Sequence, residues 1–304
     1  MAIIEVEGLR KVYGGTVAVD GVSFTVNQGE IFGLVGPNGA GKTSIVETLA
    51  GLRRPDAGTV RVLGHDPGQE RRELAQRIGI QLQSAELPDR LRVWEALDLY
   101  ASFYRNPADW RDLLAEWGLE DKRNTAFADL SGGLKQRLMV ALAFVGSPEL
   151  VFLDELTTGL DPRARRATWE IVRDIRAKGM TVLLVTHFMD EAEQLCDRVG
   201  IVHHGRLVAY GRPSELTTNA AVDVRFSAAS GLDLEKVAHA LELPTALVRE
   251  VRPGDYVVDA PATPALVAAL AVWLDDQDVL LSDLRAGQGS LEDDFLRLTG
   301  EEGE

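Results

Sequence analysis

Residues 36–43 read Gly36-Pro37-Asn38-Gly39-Ala40-Gly41-Lys42-Thr43, followed by Ser44. The string fits G-x-x-x-x-G-K-[ST], a loop whose glycines let backbone N–H groups turn inward around phosphate oxygens without Cβ clashes. Lys42 supplies a mobile positive charge for β and γ phosphates, and Thr43 supplies a hydroxyl for Mg²⁺. The loop leaves a short apolar strand, Glu30–Val35, and opens a helix over Lys42–Ala50, whose positive end points at the same anion. A glycine turn without a ligand would not need that strand–loop–helix context. The stretch predicts a site for a nucleoside triphosphate.

Working outward, β-like and helix-like segments alternate over the first two-thirds of the chain, the pattern of an α/β sheet with helices packed on it. Ile3–Val6, Val17–Val26, Thr59–Leu63 and Ile78–Leu82 read as strands. Between about Pro88 and Asn124 the β character disappears, and a helical subdomain is expected over about 88–147. Val93–Tyr104 and Ala108–Trp117 have helical spacing, and Ser131–Val145 is a helix with Leu134, Leu138, Ala141, Leu142 and Val145 on one face. Leu150–Leu153 and Thr181–Thr186 are continuous apolar runs, as expected of central parallel strands, with the helix Pro162–Ala177 between them. The first of these strands delivers two acids to its exit. Asp154 is placed to hold the Mg²⁺ shell and Glu155 to polarise an attacking water as a general base. A strand ending in two acids is common, and only its pairing with the glycine loop favours chemistry over a solvated strand end.

A linker near Pro213–Ala220 leads to a different pattern. Val222–Ser227 reads as a strand, Asp233–Glu242 as a helix, Ala246–Val251 and Tyr256–Asp259 as a strand pair. Pro264–Leu274 is a helix, Val279–Asp283 a strand and Leu291–Leu298 a last helix. This βαββαβ order is consistent with a small ferredoxin-like sandwich, and it sets domains at 1–218 and 222–304. Residues 222–304 hold 17 acids against 6 bases, within a chain of formal charge −15. That balance disfavours a nucleic-acid partner and acidic lipid surfaces. The single cysteine, Cys196, has no disulfide partner and reads as a small helix residue. His203-His204 reads as a solvated turn pair rather than a metal site. The start has no signal-peptide pattern, and the longest apolar run, Ala265–Leu274, is half of a membrane span. A cytosolic location is expected.

Leu130-Ser131-Gly132-Gly133-Leu134-Lys135-Gln136 resembles the signature of the ATP-binding cassette (ABC) family. Other landmarks follow in order: Gln83, within Ile78–Gln83, is similar to the glutamine loop, with Gln81 a rival register. Thr157–Pro162 resembles the D-loop, Thr186-His187 the switch histidine, and Tyr13 the aromatic that stacks on adenine. The resemblance covers about residues 2–215. It implies a P-loop NTPase cassette with a RecA-like core, an antiparallel β subdomain and the helical insertion. It further implies ATP and Mg²⁺ as cofactors, with Thr43, Gln83 and Asp154 at the metal and Gly36 to Ser44 on the phosphates. Glu155, His187 and Lys42 would be catalytic.

Ser131 at its helix start, with Gly132 and Gly133 beside it, makes a second anion site. In the family that site meets the γ-phosphate held by another subunit, and Asp161 works across the interface. One loop and one signature per chain therefore imply a dimer, most simply a homodimer. The family's groove for an integral membrane permease falls near residues 84–104. Leu87, Leu91, Val93, Trp94 and Leu97 are candidates for its lining or, equally, for the core. Two departures stand out: Leu134 replaces the usual glutamine, and Leu156 the usual proline after the catalytic glutamate. Leu134 is expected to pack on the apolar helix face. The tail Ser290–Gly300 is similar to the accessory domain of drug-resistance exporters of the daunorubicin type. The expected function is thus an ATPase subunit at the cytoplasmic face of the membrane, driving a permease that exports drugs, lipids or other hydrophobic compounds. A non-transport ABC ATPase and an ATP-switched regulatory protein remain the alternatives.

Overall fold

The computed structural model describes residues 1–81, 86–218, 223–287 and 290–299. They fall into two compact units, Met1–Pro213 and Ser214–Glu304.

The first unit is built on two sheets. Strands β1 (Ala2–Tyr13), β2 (Thr16–Asn27) and β4 (Ala57–Val62) form an antiparallel sheet in the order β2-β1-β4, with β1 and β2 joined through Gly14-Gly15. Between β2 and β4 come β3 (Ile31–Val35) and helix α1 (Lys42–Leu49). The chain continues through α2 (Arg71–Leu74), β5 (Ile78–Gln81), α3 (Val93–Ala101), α4 (Trp110–Glu116), α5 (Gly132–Phe144) and β6 (Leu150–Asp154). Then follow α6 (Pro162–Ala177), β7 (Thr181–Thr186), α7 (Met189–Leu195), β8 (Arg198–His203) and β9 (Arg206–Gly211). The second sheet has the order β5-β6-β7-β3-β8-β9, parallel except for β9.

Every residue of β3, β6 and β7 is buried, which is why these strands are unbroken apolar runs rather than alternating ones. The two sheets share a core in which the rings of Phe24 and Phe32 stack at 5.2 Å. Close packing on the far side of β3 requires a residue without a side chain: a Cβ on Gly33 would sit 2.7 Å from the sulfur of buried Cys196. Cys196 itself closes α7 in an extended conformation, just outside the helix. Helices α3 to α5 lie between β5 and β6, where the β character of the sequence lapses.

The second unit comprises α8 (Pro213–Thr218), β10 (Asp223–Ser227), α9 (Leu234–Ala240), β11 (Val248–Arg252), β12 (Asp255–Val258), α10 (Pro264–Asp276), β13 (Asp283–Gly287) and α11 (Leu291–Thr299). Its sheet is antiparallel in the order β11-β12-β10-β13. Val224, Phe226, Tyr256 and Val258 share one core with Val237 of α9, Leu241 just past its end, and Leu270 and Leu274 of α10.

Two segments differ from the sequence reading. Pro213–Thr218 is helical rather than a plain linker. The last strand is Asp283–Gly287, not Val279–Asp283. Helix α10 ends with Asp278 in the left-handed region (φ 53°), and Val279 N–H turns back to donate to the Leu274 carbonyl. That helix-end motif uses up Val279, and Leu280, 81% exposed, bridges onward to the sheet edge.

Candidate functional site

Three neighbouring strands end at one level. In the sheet, Asp154 of β6 pairs with Val185 of β7, and Thr186 of β7 pairs with Val35 of β3. The glycine loop, the Asp154-Glu155 pair and His187 therefore leave the same carboxyl edge, where open α/β sheets hold their ligands. Two loop glycines are fixed by close backbone approach. Gly36 (φ 153°) and Gly41 (φ 107°) adopt conformations that favour glycine, and a Cβ at either would overlap a carbonyl oxygen, of Val202 and Ala18 respectively.

The loop wraps a cavity of about 290 Å³ lined by Ala18, Asn38, Gly39, Gly41, Lys42, Thr43, Ser44, Asp154 and Glu155. Lys42 is buried and its Nζ donates to the carbonyls of Gly36 (2.5 Å) and Pro37 (2.9 Å). Burial pushes its pKa down, against the opposing pull of Glu155 and Asp154. Asp154 is pushed up to about 6 by burial and by the neighbouring Glu155, with Lys42 acting the other way. A cation beside Asp154 would relieve both effects, so this donor set, with the Thr43 hydroxyl in the same cavity, fits a hard divalent ion.

Glu155 adopts φ 50°, uncommon for a side chain of this kind. Its N–H donates to Val185 O (2.8 Å), continuing the strand ladder by one residue, and Thr158 N–H donates to its carbonyl (3.2 Å). His187 Nδ1 lies 3.3 Å from Glu155 Oε1, and Thr158 Oγ1 donates to Oε2 at 3.4 Å. The acid is thus aimed by a histidine and a hydroxyl.

A second cavity, of about 500 Å³, is lined by Ser131, Gly132, Gly133, Leu134, Arg137, Gly159, Leu160, Asp161, Ala164 and Thr168. It shares no lining residue with the first. Ser131 holds the N-cap position of α5 but its hydroxyl makes no capping bond, contrary to the cap expected from sequence. Gly132 and Gly133 open the helix beside it. Asp161 caps α6 instead, accepting from the N–H groups of Arg163 and Ala164, both at 2.9 Å. Leu134 is half-buried and faces this cavity, which corrects its expected place in the core. Leu156 is fully buried, between residues of α5 and α6.

Tyr13 does not line the loop cavity. It stands at the end of β1 with Lys11 Nζ 5.3 Å and the Arg53 guanidinium 5.9 Å from its ring centroid. Gln83 lies outside the described residues. In the stretch expected to dock a partner, Leu87, Val93 and Leu97 are buried, while Leu99 and Phe103 are exposed at 46% and 63%. The sequence reading had no signal for those two. His203 and His204 have ring centroids 4.0 Å apart, and no group of three or more His, Cys, Asp or Glu side chains gathers into a ligand set among the described residues.

The sequence reading also missed Glu191. This carboxylate of α7 is fully buried, and its Oε1 accepts from Thr157 Oγ1 and from the Trp169 indole N–H, both at 2.9 Å. It ties the segment after Glu155 to helix α6 and to the turn after His187.

Fold and site together define a phosphate-loop nucleoside triphosphatase. The family model described as ABC transporter matches residues 19–158. The chain is 39% identical to the daunorubicin/doxorubicin resistance ATP-binding protein DrrA of Streptomyces peucetius, over 98% of this chain and 92% of that one. It is also 39% identical to the Nod factor export ATP-binding protein I of Ralstonia nicotianae, over 99% and 94%. A solved ATP-binding subunit of an ABC transporter superposes with TM-score 0.65 at 31% identity, covering 72% of this chain and 93% of the other. The chain belongs to the ABC transporter family, as an ATP-binding subunit and an ATPase.

Proposed function

We propose that this ATPase works as a pair of identical subunits that drive a separate membrane permease, exporting drugs, lipids or other hydrophobic compounds. The observation that carries the reading is the loop cavity, where Lys42, Thr43 and Ser44 face Asp154 and Glu155. In this reading Gly36, Pro37, Asn38, Gly39, Ala40 and Gly41 present backbone to the phosphates, and Lys42 leaves its loop carbonyls to meet the β and γ phosphates. Glu155 takes the proton of the attacking water, while His187, 3.3 Å away, keeps the carboxylate and water in line. Asp154 and Thr43 would hold Mg²⁺, which supplies neutralisation of phosphate charge; Gln83 is assigned there by family resemblance alone. Tyr13 would stack on the adenine.

The two cavities with no shared lining support a split site. Ser131, Gly132, Gly133 and Asp161 of one subunit would close over the nucleotide held by the loop of the other. ATP binding then joins the pair and hydrolysis reopens it. Export is supported by the names of the two relatives, one of drug resistance and one of Nod factor export. The permease would seat near residues 84–104, where Leu99 and Phe103 are exposed. No helix among the described residues is long and apolar enough to cross a membrane; peripheral attachment at the cytoplasmic face is proposed from the relatives' part in transport. The acidic charge of −15 speaks against nucleic acid as a partner. The division into a cassette (1–218, helical part 88–147) and a ferredoxin-like accessory domain (222–304) belongs to the same reading.

Glu155→Gln tests it. Turnover should fall roughly 10²–10⁴-fold, as for loss of a general base, with ATP affinity by calorimetry retained. The variant with ATP should double in mass by light scattering. Near-normal turnover would remove Glu155 from its role.

A further inference from the structure

Residues 222–304 are strongly acidic, with 17 acids and 6 bases. Four of those six bases nevertheless line one cavity. It has a volume of about 440 Å³, and Arg225, Arg249, Arg252 and Arg285 stand around it with Val251, Val257 and Leu296. Strand register explains the gathering. Arg249 pairs with Val257, Val257 with Arg225, and Arg225 with Arg285. These four residues make a single row across β11, β12, β10 and β13.

Because side chains alternate along a strand, this row lies on the sheet face opposite the core that Val224, Val248, Val258 and Leu284 pack against α9 and α10. Leu296 of α11 borders the same cavity. Among the described residues two acids line it, Asp255 and Asp283, and both are engaged, as Arg225 is in its turn. Ser227 Oγ donates to Asp255 at 2.8 Å, and Arg285 pairs with Asp283 at 3.1 Å. Arg249 pairs outside the lining with Asp259 at 3.3 Å.

We infer that this sheet face is a binding site for a small amphiphilic anion, a carboxylate or phosphate on an apolar body. Guanidinium groups take such oxygens in pairs. The valines and Leu296 cover the apolar part, and the volume lies in the range of small-molecule sites. A purely phosphate-binding surface would not place Val257 in the middle of its arginine row. A purely apolar groove would not collect most of the cationic side chains of an acidic unit.

The test is titration calorimetry on the full chain, with the phosphate loop saturated by ADP. The probes are octyl phosphate, octanoate, octanol and inorganic phosphate. The first two should saturate one site per chain, and the last two should bind at least about tenfold more weakly. Arg225→Gln and Arg249→Gln should each weaken octyl phosphate binding by about tenfold, and Lys236→Gln, a base of the same unit outside the cavity, should leave it unchanged. Basal ATP hydrolysis of these variants should match the parent. Competition by phosphatidylglycerol vesicles would identify the natural anion as a lipid; lack of competition would identify it as a soluble compound, and either supports the site. The inference is overturned if octanol binds as tightly as octyl phosphate, if neither anion saturates, or if folded arginine variants bind like the parent. The comparison among the four probes needs no variant and stands if a variant does not fold.

Discussion

At the residue scale, burial sets the chemistry of the loop cavity. Asp154, held at about 6, is disfavoured as an anion in the nucleotide-free protein. Its folded-state pKa lies above its unfolded value, so the folded state binds the extra proton between about pH 4 and 6. Stability from this group therefore falls as pH rises through that window and stays low above it. Asp154→Asn should raise the melting temperature of the nucleotide-free protein by roughly 2–4 °C at pH 7.5, and the gain should shrink as pH falls through the window and vanish below about pH 4. With Mg²⁺ and ATP present the order should reverse if Asp154 holds the ion as proposed; differential scanning calorimetry reads both. Glu191 makes a different prediction. Glu191→Ala strands a buried donor, Thr157, and a half-buried one, Trp169, at about 1–3 kcal/mol of stability. It also loosens the segment that carries Glu155, so kcat should fall about tenfold or more with KM for ATP unchanged. Glu191→Gln, which keeps the shared acceptor, should restore kcat; failure of that rescue would leave Glu191 a stability residue only.

At the element scale, helix ends decide more than helix interiors. Helices α9 and α10 both close with a side-chain-bearing residue in the left-handed region, Glu242 (φ 56°) and Asp278 (φ 53°). Leu243 and Val279 then donate back to the carbonyls of Ala238 and Leu274. Glycine suits that position better, so Glu242→Gly should stabilise the second unit by about 0.5–1 kcal/mol in chemical denaturation. These ends also show what the sequence made legible. Pro162–Ala177 is bounded as read, because Pro162 stands in the first turn and Asp161 caps it. Thr181–Thr186 is bounded as read because an unbroken apolar run between turns has one outcome in a buried parallel sheet. The last strand was displaced because Val279 and its apolar neighbours look like strand until the helix end claims them. Helix α7 has only seven residues, too few to declare a period. Of the site, the glycine loop and the Asp154-Glu155 pair are local strings and were readable. The Glu191 bridge joins residues 22 and 34 positions apart, and no local pattern encodes it.

At the scale of the whole molecule, the two units have separate cores, one around Phe24 and Phe32 and one around Phe226 and Tyr256. Their unfolding need not be a single event. Scanning calorimetry should resolve two transitions, and truncation of a buried aromatic should move one of them, by about 3–5 kcal/mol. Phe226→Ala should lower the transition of the second unit alone, and Phe32→Ala that of the first. A single transition shifted equally by both variants would show that the units melt as one.

Finally, the sulfur packed against Gly33 is the only one of its kind in the chain. It is buried, and its thiol is pushed well up by that burial and by Glu191 and Asp197. Alkylating reagents attack the thiolate, so an intact molecule keeps this group out of their reach. Every labelled chain must first have parted α7 from β3, the strand that leads into the glycine loop. The protein thus carries a built-in stopwatch for how often that seam springs apart, readable in the native chain without adding a dye or moving a residue.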